Sequence, residues 1–265
     1  MKKLSGSLFG RYIGIDYSGA QVPESGLPGL RVYAAGSRGG PAEVRPSTGL
    51  RKHWTRRGIA EWLVRELGEG PPAVVGIDHG FSFPLKYFER HGLGLDWPAF
   101  LDDFQRHWPT DAEATRVESV RNGTVGQGAL RGGDSKWRRV ADVRAGGAKS
   151  VFHFDVQGSV AKSTHAGLPW LRHIREQLPR SVHFWPFDGW EPQAGRSVIA
   201  EVYPSLWSRG LARGGRTPDQ HDAWSAASWL QRTDLEGGLG RFLRPVLSEE
   251  DLKAAAVEGW ILGVE

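Results

Sequence analysis

An α/β fold, a mixed sheet flanked by helices, is what this chain predicts, and three observations predict it. Two runs, Ile13-Gly14-Ile15-Asp16 and Val75-Gly76-Ile77-Asp78, are near-copies, each an apolar strand ending in an acid. Two short strands and one helix separate them, so the second copy returns by a crossover and should lie parallel to the first. Later, Thr217-Pro218-Asp219-Gln220 opens a helix with Thr as N-cap, Pro at its first position and Gln completing a capping box. Ala223, Ala226 and Ala227 give that helix a small-residue face suited to close packing on a sheet.

The elements follow in order. After the strand at 12–16, Ser18-Gly19 reads as a turn, and residues 30–35 and 42–45 as two further strands divided by glycines. Ile59, Trp62, Leu63 and Leu67 keep helical spacing until Pro71-Pro72 stop the helix ahead of the strand at 73–78. Residues 97–107 read as a helix carried by Phe100, Leu101 and Phe104. Residues 121–150 hold seven basic side chains against two acidic ones, with seven glycines, and read as a mobile loop. Pro169 is the expected first residue of a helix with Leu168, Leu171, Ile174 and Leu178 on one face. Strands are expected at 182–185 and 197–202, then the helix from Pro218 to about residue 231, then a last helix from Ser248 with Asp251 in its capping position.

Composition narrows the chemistry. With no cysteine there is no disulfide framework, thiolate metal site or cysteine nucleophile. The chain of 265 residues is 39% hydrophobic, enough for a core. Its 34 Lys+Arg against 30 Asp+Glu permit a polyanionic partner without requiring one. No run approaches the roughly 18 apolar residues of a membrane span. The basic start Met1-Lys2-Lys3 is followed by Ser5, Gly6 and Ser7 rather than an apolar signal core, so a soluble, cytoplasmic protein is expected.

Four carboxylates carry the functional reading. Ligands of open α/β sheets bind beyond the carboxyl ends of parallel strands, where Asp16 and Asp78 should meet. Glu201 ends the strand at 197–202, and Asp222 lies one turn inside the helix from Pro218, with Asp219 on the same face. Each acid alone has a plain explanation as a turn cap, a helix-start residue or an ion-pair partner. Crowded together they repel unless a cation lies between them. Hard oxygen donors without cysteine suit Mg²⁺ or Mn²⁺. Two such ions about 4 Å apart would clamp the attacking and leaving oxygens of a phosphoryl displacement.

The order of three strands, helix, strand with terminal acid, strand and helix bearing Asp resembles the RNase H-like superfamily. The run from Asp219 through His221-Asp222-Ala223 resembles the last motif of RuvC-type resolvases. Gly14-Ile-Asp16, Gly76-Ile-Asp78 with Phe83-Pro84, Glu201-Val-Tyr-Pro204 and His221-Asp222-Ala resemble an uncharacterised bacterial and archaeal family of predicted nucleases with that fold, across residues 11–260. The resemblance implies an RNase H-like mixed sheet in one domain over 1–265. Because more than 110 residues separate Asp78 from Glu201, it also implies a large helical and loop insertion at 79–180. It implies metal-dependent hydrolysis of DNA or RNA, with Asp16, Asp78, Glu201 and Asp222 as catalytic and metal-holding residues and Asp219 as a further ligand. Asp78 stands where RuvC-type proteins carry Glu.

Supporting candidates are fewer. The run 158–165 is no P-loop, since Ala161 precedes Lys162 where Gly is required, but Lys162, Ser163 and His165 are candidate phosphate contacts. Arg138 and Arg139, in the basic stretch, are candidate polyanion contacts. Ser18, two residues after Asp16, is a candidate substrate contact, with no readable Ser–His–Asp arrangement around it. Two rival readings are an actin- or sugar-kinase-like ATPase, which shares the opening strands, and a non-catalytic nucleic-acid or protein binder.

Overall fold

A computed structural model describes residues 6–46, 52–156 and 158–265; the basic residues 1–3 lie outside them. β1 (Arg11–Asp16), β2 (Arg31–Gly36) and β3 (Ala42–Glu43) pair antiparallel in succession. The Thr55 hydroxyl accepts the Gly58 N–H to start α1 (Arg56–Glu69), which presents Ile59, Trp62, Leu63 and Leu67 to the core. The chain then returns as β4 (Ala73–Asp78), parallel to β1. The long middle contains α2 (Leu85–His91), α3 (Trp97–His107), α4 (Val117–Arg121), α5 (Val140–Arg144) and α6 (Ala161–Gln177). β5 (Val182–Trp185) and β6 (Ser197–Glu201) follow, then α7 (Pro218–Leu235), α8 (Leu239–Leu243) and α9 (Glu249–Glu258). The sheet has six strands in the order β3-β2-β1-β4-β6-β5, with β1, β4, β6 and β5 mutually parallel. The α/β class expected from the sequence is therefore present, as a mixed sheet with helices on both faces.

Strand alternation sorts the two faces. Ile13, Ile15, Val75, Ile77 and Ile199 enter the larger core with α1, α3 and α6. Tyr12, Val74, Val198 and Ala200 enter a second core with α7 and α8. Asp16 and Asp78 share the parity of this second face, the one covered by α7. The close approach of α7 depends on Gly14: a Cβ there would stand 2.2 Å from the Ala223 carbonyl oxygen and 2.5 Å from the Ala227 nitrogen. No helix of the described residues is long and apolar enough to cross a membrane.

Two expectations are corrected. α6 begins at Ala161, and Pro169 sits inside it rather than opening it. A mid-helix proline frees the carbonyl four residues earlier. That group, on His165, accepts the Thr110 hydroxyl at 2.6 Å, so the helix continues through the proline with no orphaned carbonyl. The stretch 121–150, read as loop, contains the end of α4, a 3₁₀ turn at Gly128–Arg131 and α5. Arg139 holds α5 in place. Its guanidinium is buried and bonds Asp142, Glu201 and the Glu258 carbonyl, while the Glu258 carboxylate accepts the N–H groups of Leu85 and Val140 at 2.7 Å each.

Candidate metal centre

β1 and β4 end in register, placing Asp16 directly beside Asp78. Neighbouring strands lie about 4.8 Å apart, and side chains of matching parity project together. α7 crosses the same face, and its second turn brings Asp222 to the pair while Asp219 lies one turn earlier. A Cβ on Gly29 would stand 3.6 Å from the Ser18 hydroxyl and 4.0 Å from an Asp219 carboxylate oxygen, so Ser18 and Asp219 border the same spot on the rim. The cleft over these acids, about 500 Å³, is lined by Asp16, Asp78, Glu201 and Asp222 and by Ser163, Lys149 and Arg209.

Electrostatics distinguish these acids. Burial pushes the Asp16 carboxyl well up, and Asp78, Asp219 and Asp222 push it further; the Tyr17 backbone N–H, bonded to it, opposes the rise. Burial likewise raises Asp78 well above its ordinary value, aided by Asp222 and Glu201. The neighbours that act on the two groups through their charge, Asp219, Asp222 and Glu201, are all acidic. Asp222 is raised by burial, and the Ser208 hydroxyl bonded to it, His221 and Arg213 pull it back. His221 donates from Nε2 to the Ser208 carbonyl at 3.0 Å, fixing the turn that supplies this hydroxyl.

Glu201 is different. It pairs in register with Ile77, one position short of Asp78, and so shares the parity of the opposite face. Both its oxygens are taken by Arg139, from Nη1 at 2.7 Å and Nη2 at 2.5 Å, and the Phe81 N–H adds a third bond at 3.1 Å. Burial raises the Glu201 carboxyl while Arg139 opposes the rise; the two-pronged geometry is that of an ionised pair. Expected as a metal ligand, Glu201 is instead the anchor of a buried arginine.

The basic and polar candidates also divide. Ser163 lines the cleft, with its hydroxyl donating to the Val160 carbonyl at 2.9 Å. Lys162 forms an ion pair with Glu118. His165 does not reach the acids. It lies among Phe83, Phe104, Trp108 and Phe154, donates from Nδ1 to the Ala161 carbonyl, and burial pushes its pKa down to about 3. Arg138 donates to the carbonyls of Asp142 and Ala148, and Arg139 is enclosed with its carboxylates, so neither side chain is spare for a polyanion. The Ser18 hydroxyl accepts the Ala20 N–H at 3.4 Å and lies near Asp219 on the rim.

Sequence reasoning missed Asp142, Glu258, Ser208 and Arg209. Glu258 has no motif, because its carboxylate meets the N–H groups of Leu85 and Val140 across 118 or more positions of chain, whereas Asp142 sits only three residues after its partner Arg139. Arg209 carried a readable signal, the Arg- and Gly-rich run at 209–216 just ahead of the α7 cap.

Among the described residues no three His, Asp or Glu side chains are grouped to hold an ion as placed. The donor chemistry nonetheless fits a hard divalent cation: two adjacent, partly buried carboxylates with two further acids within electrostatic reach. Compared with known proteins, the chain matches no family model, no curated protein and no solved structure.

Proposed function

We propose that this protein is a divalent-metal-dependent phosphodiesterase of RNase H-like architecture that acts on nucleic acid. The observation that carries the reading is the Asp16–Asp78 pair, in register at the ends of parallel strands, with Asp219, Asp222 and Glu201 adding negative charge around it. The strand order and the acid-bearing α7 laid across β1 support the RNase H-like assignment. Asp16 and Asp78 would hold Mg²⁺ or Mn²⁺, with Asp222 and Asp219 completing the oxygen donors. A cation bound there would supply Lewis-acid polarisation of a phosphoryl oxygen and activation of water.

The remaining work falls to the chain's own groups. Asp16 is central in the acid array and sets the charge on which binding depends. The Ser208 hydroxyl steadies Asp222. Glu201 and Arg139 position the ends of β4 and β6 without touching substrate.

The test is cleavage of labelled single-stranded and branched oligonucleotides with and without Mn²⁺. Asp16→Asn keeps side-chain size and removes the charge, so metal-dependent cleavage should fall by at least ~100-fold while oligonucleotide binding persists. A wild type that hydrolyses ATP and leaves every oligonucleotide intact would replace this reading with the kinase-like one. Turnover of neither would leave a binder.

A further inference from the structure

A polyanionic substrate must lie over a cleft whose acids repel it. Most arginines of the basic stretch 121–150 are already engaged: Arg121 pairs with Asp155, Arg131 with Asp103, Arg144 with Asp251, and Arg138 and Arg139 bond inward. The segment between β6 and α7 differs. Arg209, exposed on a 3₁₀ turn, lines the cleft together with Asp16, Asp78 and Asp222. Arg213, also exposed, follows four residues later in the same segment, just ahead of the α7 cap. Neither guanidinium has an ion-pair or hydrogen-bond partner among the described residues.

The segment is nevertheless anchored. Gly214 and Gly215 take φ of +58° and +79°, a reversal that side chains resist. Arg216 closes it by donating to the Arg213 carbonyl at 2.9 Å and lying 3.8 Å over the Trp224 ring. Two partner-free arginines are thus held at the rim of an acidic cleft, an arrangement that leaves the acids room for a cation and gives flanking phosphates a guanidinium each.

We infer that Arg209 and Arg213 are the phosphate-contacting rim of this cleft, engaging the backbone of a nucleic acid on either side of the phosphodiester that faces Asp16 and Asp78. This inference rests on the phosphodiesterase reading for the role of the bound strand, but binding can be measured without catalysis.

The experiment is fluorescence anisotropy in EDTA with single-stranded DNA and RNA of about 20 nucleotides across a salt series. Arg209→Gln with Arg213→Gln should weaken binding and lower the slope of log affinity against log salt by about 1.4, two phosphates at about 0.7 each. Arg209→Lys with Arg213→Lys should restore most of the slope. Arg65→Gln with Arg180→Gln, the same charge change on two exposed arginines remote from the cleft, should leave it unchanged. Equal losses in both Gln pairs, an unchanged slope in the rim pair, or a wild type that binds neither strand would overturn the inference. If wild type binds through Arg209 and Arg213 yet cleaves nothing with Mn²⁺, the phosphodiesterase reading fails and the binding surface stands.

Discussion

Glu201 and Asp78 end neighbouring strands of one sheet, and what faces them differs. Glu201 turns to a guanidinium that fills both its oxygens, with Asp142 sharing that cation. Asp78 turns toward α7, where Asp16 and Asp222 add negative charge. The first acid is bound into the fold. Burial and acidic neighbours raise the Asp16 and Asp78 carboxyls, so ionising them costs stability unless a cation arrives from outside. On the proposed reading, pairing with an arginine, rather than proximity to the strand end, separates the two kinds of carboxylate.

The largest effect expected from breaking that contrast is at Arg139. Arg139→Met strands Glu201 and Asp142 as buried unpaired charges, and removing one partner of such a cluster costs about 3–5 kcal/mol. Urea denaturation checks it; a loss below ~1 kcal/mol would mean that the network is dispensable.

Asp78→Asn should do the reverse. A carboxyl whose folded pKa is raised above its ordinary 3.8 takes up protons on folding, so its penalty is absent below pH 3.8 and grows as pH rises through the folded value. In EDTA at pH 8 the variant should melt about 2–4 °C above wild type, the shift expected from ~1 kcal/mol in a chain of this size. That gain should disappear as the pH falls toward 3.8. Millimolar Mn²⁺ should raise the melting temperature of wild type and of Glu201→Gln, but not of Asp78→Asn. Loss of the Mn²⁺ response in Glu201→Gln would return Glu201 to the donor set.

The smallest effect belongs to Lys162, whose pair with Glu118 is exposed on both sides. Lys162→Gln should change unfolding free energy by less than about 0.5 kcal/mol. A larger loss would show that exposed pairs near the rim also hold the fold.

Much of this was legible in local pattern. The twin strands, the α7 capping box and the strand at 182–185 each rest on adjacent residues, and Thr217 and Gln220 cap each other as the spacing implies. The meeting of Asp16 with Asp78 followed from parallel pairing. The parity of Glu201 did not, because a one-residue register change turns a side chain to the other face. Nor could the chain's pattern show that Thr110 would satisfy the His165 carbonyl and let α6 run through Pro169. The basic stretch 121–150 was misread for a related reason: composition counts charges, but not the acids they will meet.

The covering of β1 by α7 has a consequence for how the protein is made. Strand residues 11–16 precede the helix that buries their second face by about 200 residues, and the Phe9 N–H bonds an Asp234 oxygen 225 positions away. Until α7 is synthesised, β1 and β4 display an apolar face and an uncovered acid pair. Contacts this distant in sequence slow folding. A nascent chain arrested before residue 218 should therefore be held by chaperones or degraded, and the acid cleft should come into existence only after α7 is made.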